Sequence, residues 1–318
     1  MTPAQLRAYA TVVRHGSVKD AGAELGVTEA AVSGHVAQLR RELGDQLFSR
    51  TGSGLAFTPG GLRLATRAAE MLGLQDQTVR EVREAKSGRR VLRLAVSSLF
   101  AEYAAPGLID LFSTRADDLA VELSVHPTDR FIALLDDRVA DLAVGPKPRG
   151  LPASIVQTTF LKYQVVAVCG PGHPAARGRM TADALRDQVW LLGPAATEAD
   201  GVVSGLIAEL AISDDRQRIF QSHAAAVQEA KRDNGIALAL AFSIADDIER
   251  GTLVQVSGPG TQAGGAWSAM TLAPPVRSSA ASELMRFITT PRATQAMLHG
   301  EAARVSRFKP AVHVTLWS

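Results

Sequence analysis

Ser17-Val-Lys-Asp-Ala-Gly-Ala-Glu-Leu-Gly-Val-Thr-Glu-Ala-Ala-Val-Ser33 reads as two short helices joined by a tight turn. Ser17 and Asp20 have the spacing of a capping box, in which hydroxyl and carboxylate satisfy free N–H groups at a helix start. Gly26 supplies the left-handed residue that stops the first helix, and Thr28 caps the second. Along that second helix Val32, Val36, Leu39 and Leu43 fall on one face. Helix, short Gly-containing turn, helix is the geometry that offers a second helix to the DNA major groove. Leu43-Gly-Asp-Gln-Leu-Phe-Ser-Arg50 follows, then a Gly-rich loop, then Phe57-Thr-Pro-Gly-Gly61.

Bulk properties frame this head. The 318 residues leave room for one small and one larger unit, and 46% hydrophobic residues support real cores. The net charge of +2 is too small to argue nucleic-acid binding alone. Its distribution says more: residues 1–90 hold 13 Lys/Arg against 9 Asp/Glu, and the remainder 21 against 23. Basic charge therefore leans toward the DNA-binding half, as phosphate contact requires. Met1-Thr-Pro-Ala-Gln-Leu-Arg7 lacks the regions of a signal peptide, and no stretch is apolar enough to span a bilayer. With Cys169 as the single cysteine there is no internal disulfide, so a reducing cytoplasm is expected.

A long helix is expected from about Gly61 to Lys86, with Leu62, Ala65, Ala69, Leu72, Val79 and Val82 at near-heptad spacing. Ser87-Gly88-Arg89-Arg90 is a natural hinge. From Val91 strands alternate with helices: strands at Val91–Val96, Leu119–Val125 and Asp141–Val144, helices at Ala104–Phe112 and Phe131–Leu135. That alternation argues an α/β unit with a mainly parallel sheet. Ligands of such sheets bind at the carboxyl ends of strands. Ser97 and Ser98 follow the first strand, Thr128 precedes a helix after the second, and Lys147 follows the third.

The head resembles the amino-terminal domain of LysR-type transcriptional regulators. The resemblance is carried by Leu6-Arg7, His15-Gly16-Ser17, Ala21, Leu25, Ala31-Val32-Ser33, Leu39, Leu43-Gly44, Leu47-Phe48, Arg50 and Thr58-Pro59-Gly60. Gly22, Glu29, Ala30 and Arg40 depart from the family pattern, and Glu29 sets an acidic group where phosphates would repel it. Ala140-Asp-Leu-Ala-Val144, Val165-Val-Ala-Val-Cys-Gly-Pro-Gly-His-Pro174, Asn234-Gly-Ile-Ala237 and Gly251-Thr-Leu-Val254 are similar to successive elements of the family's effector domain. The resemblance implies an α/β architecture in three parts: a winged helix-turn-helix over residues 1–60, a linker and dimerisation helix with hinge over 61–90, and an effector domain over 91–318. That domain would be periplasmic-binding-protein-like, with subdomain I at about 91–160 and 267–318, subdomain II at about 161–266, and an inducer cleft between them.

On that reading the protein is a cytoplasmic regulator of transcription with no enzymatic role, cofactor, metal or membrane attachment. Its partners are double-stranded DNA, a small-molecule effector and further copies of itself in a homodimer or homotetramer. By helical spacing the recognition helix presents Ala30, Gly34, Ala37, Gln38 and Arg41, flanked by Ser33 and His35. Only Ser33, His35, Gln38 and Arg41 of these have side chains able to bond bases or phosphates. Thr28 at the helix start joins them, and Arg50 with the loop Thr51 to Thr58 forms the expected wing. Ser97, Ser98, Thr128 and Lys147 line the mouth of the first subdomain, and Thr197, after Gly193-Pro-Ala-Ala, is the matching residue of the second. Hydroxyls, helix starts and Lys147 together favour an anion such as a carboxylate. Two alternatives stand beside this one: an effector-independent repressor with a vestigial cleft, and a solute-binding protein on the same fold.

Other residues invite catalytic readings that the pattern does not support. His173 has no partner at metal-binding spacing and reads as a structural turn. Ser97-Ser98 lacks the surrounding motif of a nucleophile elbow. Cys169 lies on an expected buried strand with no second cysteine to resolve a sulfenic acid. The tail 291–318 alternates like a strand from Phe308 to Trp317 and is expected to pack on its own domain or on a partner subunit.

Overall fold

Thr2 and Gln5 cap the first helix reciprocally: the Gln5 N–H donates to Thr2 Oγ1 and the Thr2 N–H to Gln5 Oε1 at 2.7 Å. A computed structural model of the chain describes residues 1–51, 54–116, 118–199, 201–274 and 276–299. They divide into two compact units, one of Met1–Gly88 with Asp136–Val139, the other of Arg89–Leu135 with the rest of the chain. The expected tail strand, from Phe308 to Trp317, falls outside the described residues.

The first unit comprises α1 (Pro3–His15), α2 (Val18–Leu25), α3 (Glu29–Leu43), β1 (Phe48–Thr51), β2 (Gly54–Phe57) and α4 (Pro59–Ser87). The two-helix reading of Ser17–Ser33 holds in outline. Ser17 accepts from the Asp20 N–H, but the capping box expected there is only half made; the reciprocal one is at Thr2. Gly26 stops α2 at φ +66°, a conformation that costs a residue with a Cβ about 1–2 kcal/mol. Thr28 caps α3 by accepting from the Ala31 N–H. Val32, Val36 and Leu39 are buried against Leu6, Tyr9 and Val12 of α1, whereas Leu43 is 41% exposed and lies outside that face.

The 29-residue α4 is not a free linker along its length. Leu64, Ala65, Ala68 and Leu72 complete the core of the head, so the helix belongs with the first unit. Leu72, expected near the middle of a dimer seam, is therefore partly committed to its own domain. Met71, Leu74, Val79 and Val82 are exposed, and at 100° per residue they share one side of the helix.

The second unit opens with β3 (Arg90–Val96), α5 (Ser98–Tyr103), α6 (Ala105–Ser113), β4 (Leu119–Val125), α7 (Phe131–Asp136), β5 (Leu142–Gly145) and β6 (Ile155–Cys169). It continues with α8 (Ala182–Arg186), β7 (Trp190–Leu192), α9 (Val202–Leu210), β8 (Gln217–Ile219), α10 (His223–Ala230) and β9 (Ile236–Leu240). It closes with α11 (Ala245–Glu249), β10 (Val254–Gln255), β11 (Gln262–Leu272), α12 (Ser279–Phe287) and α13 (Pro291–His299). The strands form one sheet in the order β4-β3-β5-β11-β6-β9-β7-β8, with β10 also on β6. Pairing is parallel within β4-β3-β5 and within β9-β7-β8. At the centre, β6 and β11 run antiparallel to each other, with a bulge between Trp267 and Ser268. The sheet is thus two parallel halves joined by a crossing pair, where alternation alone argued a mainly parallel sheet. Phe160 lies on β6 and Trp267 on β11.

Candidate nucleic-acid interface and effector cleft

On α3 the buried and exposed residues separate as helical spacing requires. Ser33, Gly34, Ala37, Gln38 and Arg41 are exposed and His35 is half-buried. Arg50 on β1 is strongly exposed, and its guanidinium lies 3.3 Å from Glu29 at the start of α3. An ion pair between two exposed groups is worth at most about 1 kcal/mol, so it yields readily to a phosphate. Glu29 thus faces a cation of its own chain.

The wing is held by a residue that departs from the family pattern. Arg40 donates from Nε to the Gln46 carbonyl and from Nη2 to the Phe48 carbonyl, each at 2.6 Å. Its guanidinium also lies 4.6 Å from the Phe48 ring centroid. Phe48 in turn stacks on Tyr9 and meets Phe57 edge-on, anchoring the hairpin to the core. Thr58, expected to face DNA, is occupied within the fold. Its hydroxyl donates to Asp45 at 2.8 Å and accepts from the Gly61 N–H as the cap of α4. The Leu47 N–H and the Thr58 hydroxyl hold the Asp45 carboxyl below its ordinary range. Arg40→Ala is expected to cost roughly 1–3 kcal/mol, because two charge-assisted bonds and a ring contact go together. Thermal denaturation would show the loss, and an unchanged melting temperature would contradict this anchoring role.

In the second unit the residues expected to bind an effector lie in different settings. Ser97 is buried, its N–H donates to the Val144 carbonyl, and its Oγ has no partner among the described residues. Ser98 opens α5. Thr128 is buried at the start of a 3₁₀ turn that leads into α7. Gly145 at the end of β5 packs against both Phe131 and Ser97, which brings these strand ends together. Lys147 is exposed and pairs with no acid among the described residues. Thr197 does not face Ser98: it is exposed, and its hydroxyl donates to the Pro194 carbonyl within its own turn.

The next residue is the one that reaches across. Glu198 is buried, and its Oε1 accepts from the Ser98 Oγ at 2.6 Å and the Ser98 N–H at 3.3 Å. The anion expected at Ser98 thus meets a carboxylate of the chain itself, which takes up the donors. His223, first residue of α10, places Nε2 3.3 Å from the same Ser98 Oγ. Gly193 lets it do so, since a Cβ there would sit 2.2 Å from His223 Nδ1. Glu102 of α5 accepts from the His223 N–H at 2.9 Å and the Ala224 N–H at 2.6 Å. Residues of the two halves of the sheet thus meet at Ser98. Burial lowers His223 to about 4, so its ring is neutral near pH 7.

Aromatic rings surround this junction. Trp267 lies 5.0 Å from Phe100 and 4.6 Å from Tyr163 between ring centroids, and Tyr103 lies 6.2 Å from His223. Burial first, and then the charge of Glu198, push the Tyr163 hydroxyl up to about 12. Glu198, His223, Glu102, Tyr163 and Trp267 carry no motif in the sequence. They are scattered over more than 160 positions and become neighbours only through the crossing strands.

The residues with tempting chemistry elsewhere are structural. His173 caps a turn by accepting from the Ala175 N–H. Cys169 is fully buried, and burial pushes its thiol up to about 11, away from the reactive thiolate. Among the described residues no group of His, Cys, Asp or Glu gathers as a metal site, and no helix is long and apolar enough to cross a membrane.

Comparison with known proteins agrees with both units. Residues 3–62 match the family described as bacterial regulatory helix-turn-helix protein, lysR family, and residues 85–291 match the LysR substrate binding domain. The HTH-type transcriptional regulator Rv0377 of Mycobacterium tuberculosis is 57% identical, with all of both chains covered. YeiE of Escherichia coli, also an HTH-type transcriptional regulator, is 28% identical over 81% of this chain and 87% of its own. Among solved structures, ArgP from Mycobacterium tuberculosis superposes with a TM-score of 0.57 at 20% identity, covering 90% of this chain and 97% of that one. LysG from Corynebacterium glutamicum, solved with bound effector Arg, gives 0.55 at 18% identity over 94% and 97%. A helix-turn-helix head with an exposed polar recognition face, followed by a two-halved α/β domain and matched throughout by such proteins, places this chain in the LysR family of transcriptional regulators, which are not enzymes.

Proposed function

We propose that this protein binds promoter DNA sequence-specifically and that a small molecule entering the Ser98–Glu198 junction alters that binding. The observation that carries the reading is the bond from Ser98 to Glu198, which joins the two halves of the effector domain across 100 residues of sequence. A ligand that competes for either partner changes how the halves are tied. The protein works as a homodimer, the unit from which a homotetramer is built, through the exposed face of α4. Its place of action is the cytoplasm, where the DNA is.

Ser33, His35, Gln38 and Arg41, with Thr28 at the start of α3, form the base- and phosphate-facing set, and Arg50 serves the wing. Thr58 drops out of it because its hydroxyl is used within the fold. On the effector side Ser98 is the central residue; Ser97 and Thr128 support it from the same strand ends. Lys147 has no polar contact that argues for a role, and Glu198 replaces Thr197.

Arg50→Ala is expected to weaken binding to specific and random duplex alike, because phosphate contact carries little base information. Gln38→Ala is expected to blur sequence preference instead, costing about 1–3 kcal/mol on the preferred site. Gel shifts on upstream DNA in moderate salt check both, and operator binding like wild type in both variants would refute this docking surface. Repeating the shifts across a panel of metabolites tests the effector. A response to none would favour the effector-independent repressor, for which the internal Glu198 contact also speaks.

A further inference from the structure

The junction at Ser98 holds a buried carboxylate without a counter-charge. Glu198 keeps only 9% of its surface, and both of its bonds come from the neutral donors of Ser98 and end on Oε1. Oε2 accepts no hydrogen bond from any described residue, and neither Glu198 nor Glu102 forms an ion pair among them. The neighbouring ring, His223, is neutral near pH 7 because of its burial. A buried carboxylate is costly unless a cation or several donors meet it.

A second observation is independent of the acids. Three buried polar groups around the same junction have no partner among the described residues: Ser97 Oγ, the Tyr163 hydroxyl and Trp267 Nε1. Ser97 precedes Ser98 in the chain, and the Tyr163 hydroxyl lies within electrostatic reach of Glu198. Trp267 touches Tyr163 and Phe100. Buried polar atoms are nearly always satisfied, so three such donors beside one carboxylate call for a partner. Aromatic faces beside a carboxylate are also the surroundings that attract a cation.

We propose that the ligand of this junction is an organic cation with N–H donors, an ammonium or guanidinium head, held by Glu198 against the Tyr163 and Trp267 rings. The proposal rests on the reading of this junction as the effector site and assigns the ligand class. The head group donates to Glu198 Oε2, which is without a partner, and its apolar stem lies on the aromatic wall. A carboxylate ligand would have to expel Glu198 from Ser98 and leave two negative charges together.

The test is a thermal-shift comparison on the full chain with n-butylammonium, n-butyrate and 1-butanol at matched ionic strength, using wild type, Glu198→Gln and Tyr163→Phe. Ligand-free melting and near-ultraviolet circular dichroism establish that the variants fold. n-Butylammonium is expected to raise the wild-type melting temperature by roughly 2–4 °C, through binding to the folded state alone. Butyrate and butanol should leave it unchanged, the gain should vanish in Glu198→Gln, and it should shrink in Tyr163→Phe. Three results would overturn the proposal: no gain with the ammonium, an equal gain in all three proteins, or a gain with butyrate that grows in Glu198→Gln. Gel shifts with the same compounds separate the two readings. An ammonium that stabilises through Glu198 but leaves DNA binding unchanged retains the cation site and removes the effector role. A butyrate that changes DNA binding in wild type but not in Ser98→Ala retains the effector role and removes the cation.

Discussion

Leu74→Glu is expected to convert the assembled protein to monomer at micromolar concentration. Leu74 is 51% exposed in the single chain, on the side of α4 that also carries Met71, Val79 and Val82. A row of large apolar side chains on one side of a 29-residue helix is costly in water and cheap against a second copy of itself. A glutamate in the middle of that seam would be buried without a partner. The penalty of several kcal/mol corresponds to at least about 100-fold weaker association. Val82→Glu should act in the same direction, and light scattering reads both. Leu72→Glu would be a poor probe, because Leu72 packs on the core of the head and its loss would be read as unfolding. An unchanged mass for Leu74→Glu and Val82→Glu would mean that this face is not the interface. Weaker operator binding should accompany the loss, since two heads bound to two half-sites give more than one head alone.

Acidification is expected to destabilise the effector domain through His223. Burial lowers this histidine from 6.5 to about 4 in the folded protein. Above pH 6.5 the ring is neutral in both states and contributes nothing to the pH dependence. Between pH 6.5 and 4 the unfolded chain takes up a proton that the folded chain refuses, so stability falls as pH falls. Below pH 4 both states are protonated and the loss is complete. The difference amounts to about 3 kcal/mol for a displacement of this size. Equilibrium denaturation from pH 7 to pH 4 should therefore show a steeper fall for wild type than for His223→Gln, which has no proton to refuse. Parallel curves for the two proteins would contradict the burial of a neutral ring at this junction.

Local signals placed the first three helices of the head and the buried face of α3. They are a cap at Thr28, a left-handed glycine at position 26, and a 3.6-residue apolar period through Val32, Val36 and Leu39. Short-range interactions decide such features, so they survive without knowledge of the rest of the chain. The alternation of strands and helices was legible for the same reason, whereas the family and its two-subdomain architecture came from the resemblance of motifs. Arg40 shows where local reading stops. As a departure from a pattern it had no role until the fold set its guanidinium over Phe48 and beside two carbonyls of the wing.

Only packing decided the chemistry of the junction at Ser98. Strand ends could be located from alternation, which set Ser97 and Ser98 after β3 and Thr128 after β4. Which residue of the other half would face Ser98 depended on the register of β6 with β11 and on one step along a 3₁₀ turn, from Thr197 to Glu198. That step exchanges a hydroxyl for a carboxylate, which meets Ser98 where an anion was expected. Leu72 and Thr58 were reassigned likewise, because burial is a property of the assembled core and a side chain used inside it is lost to the surface. Periodicity shows which face of an element is apolar; only packing shows what that face meets.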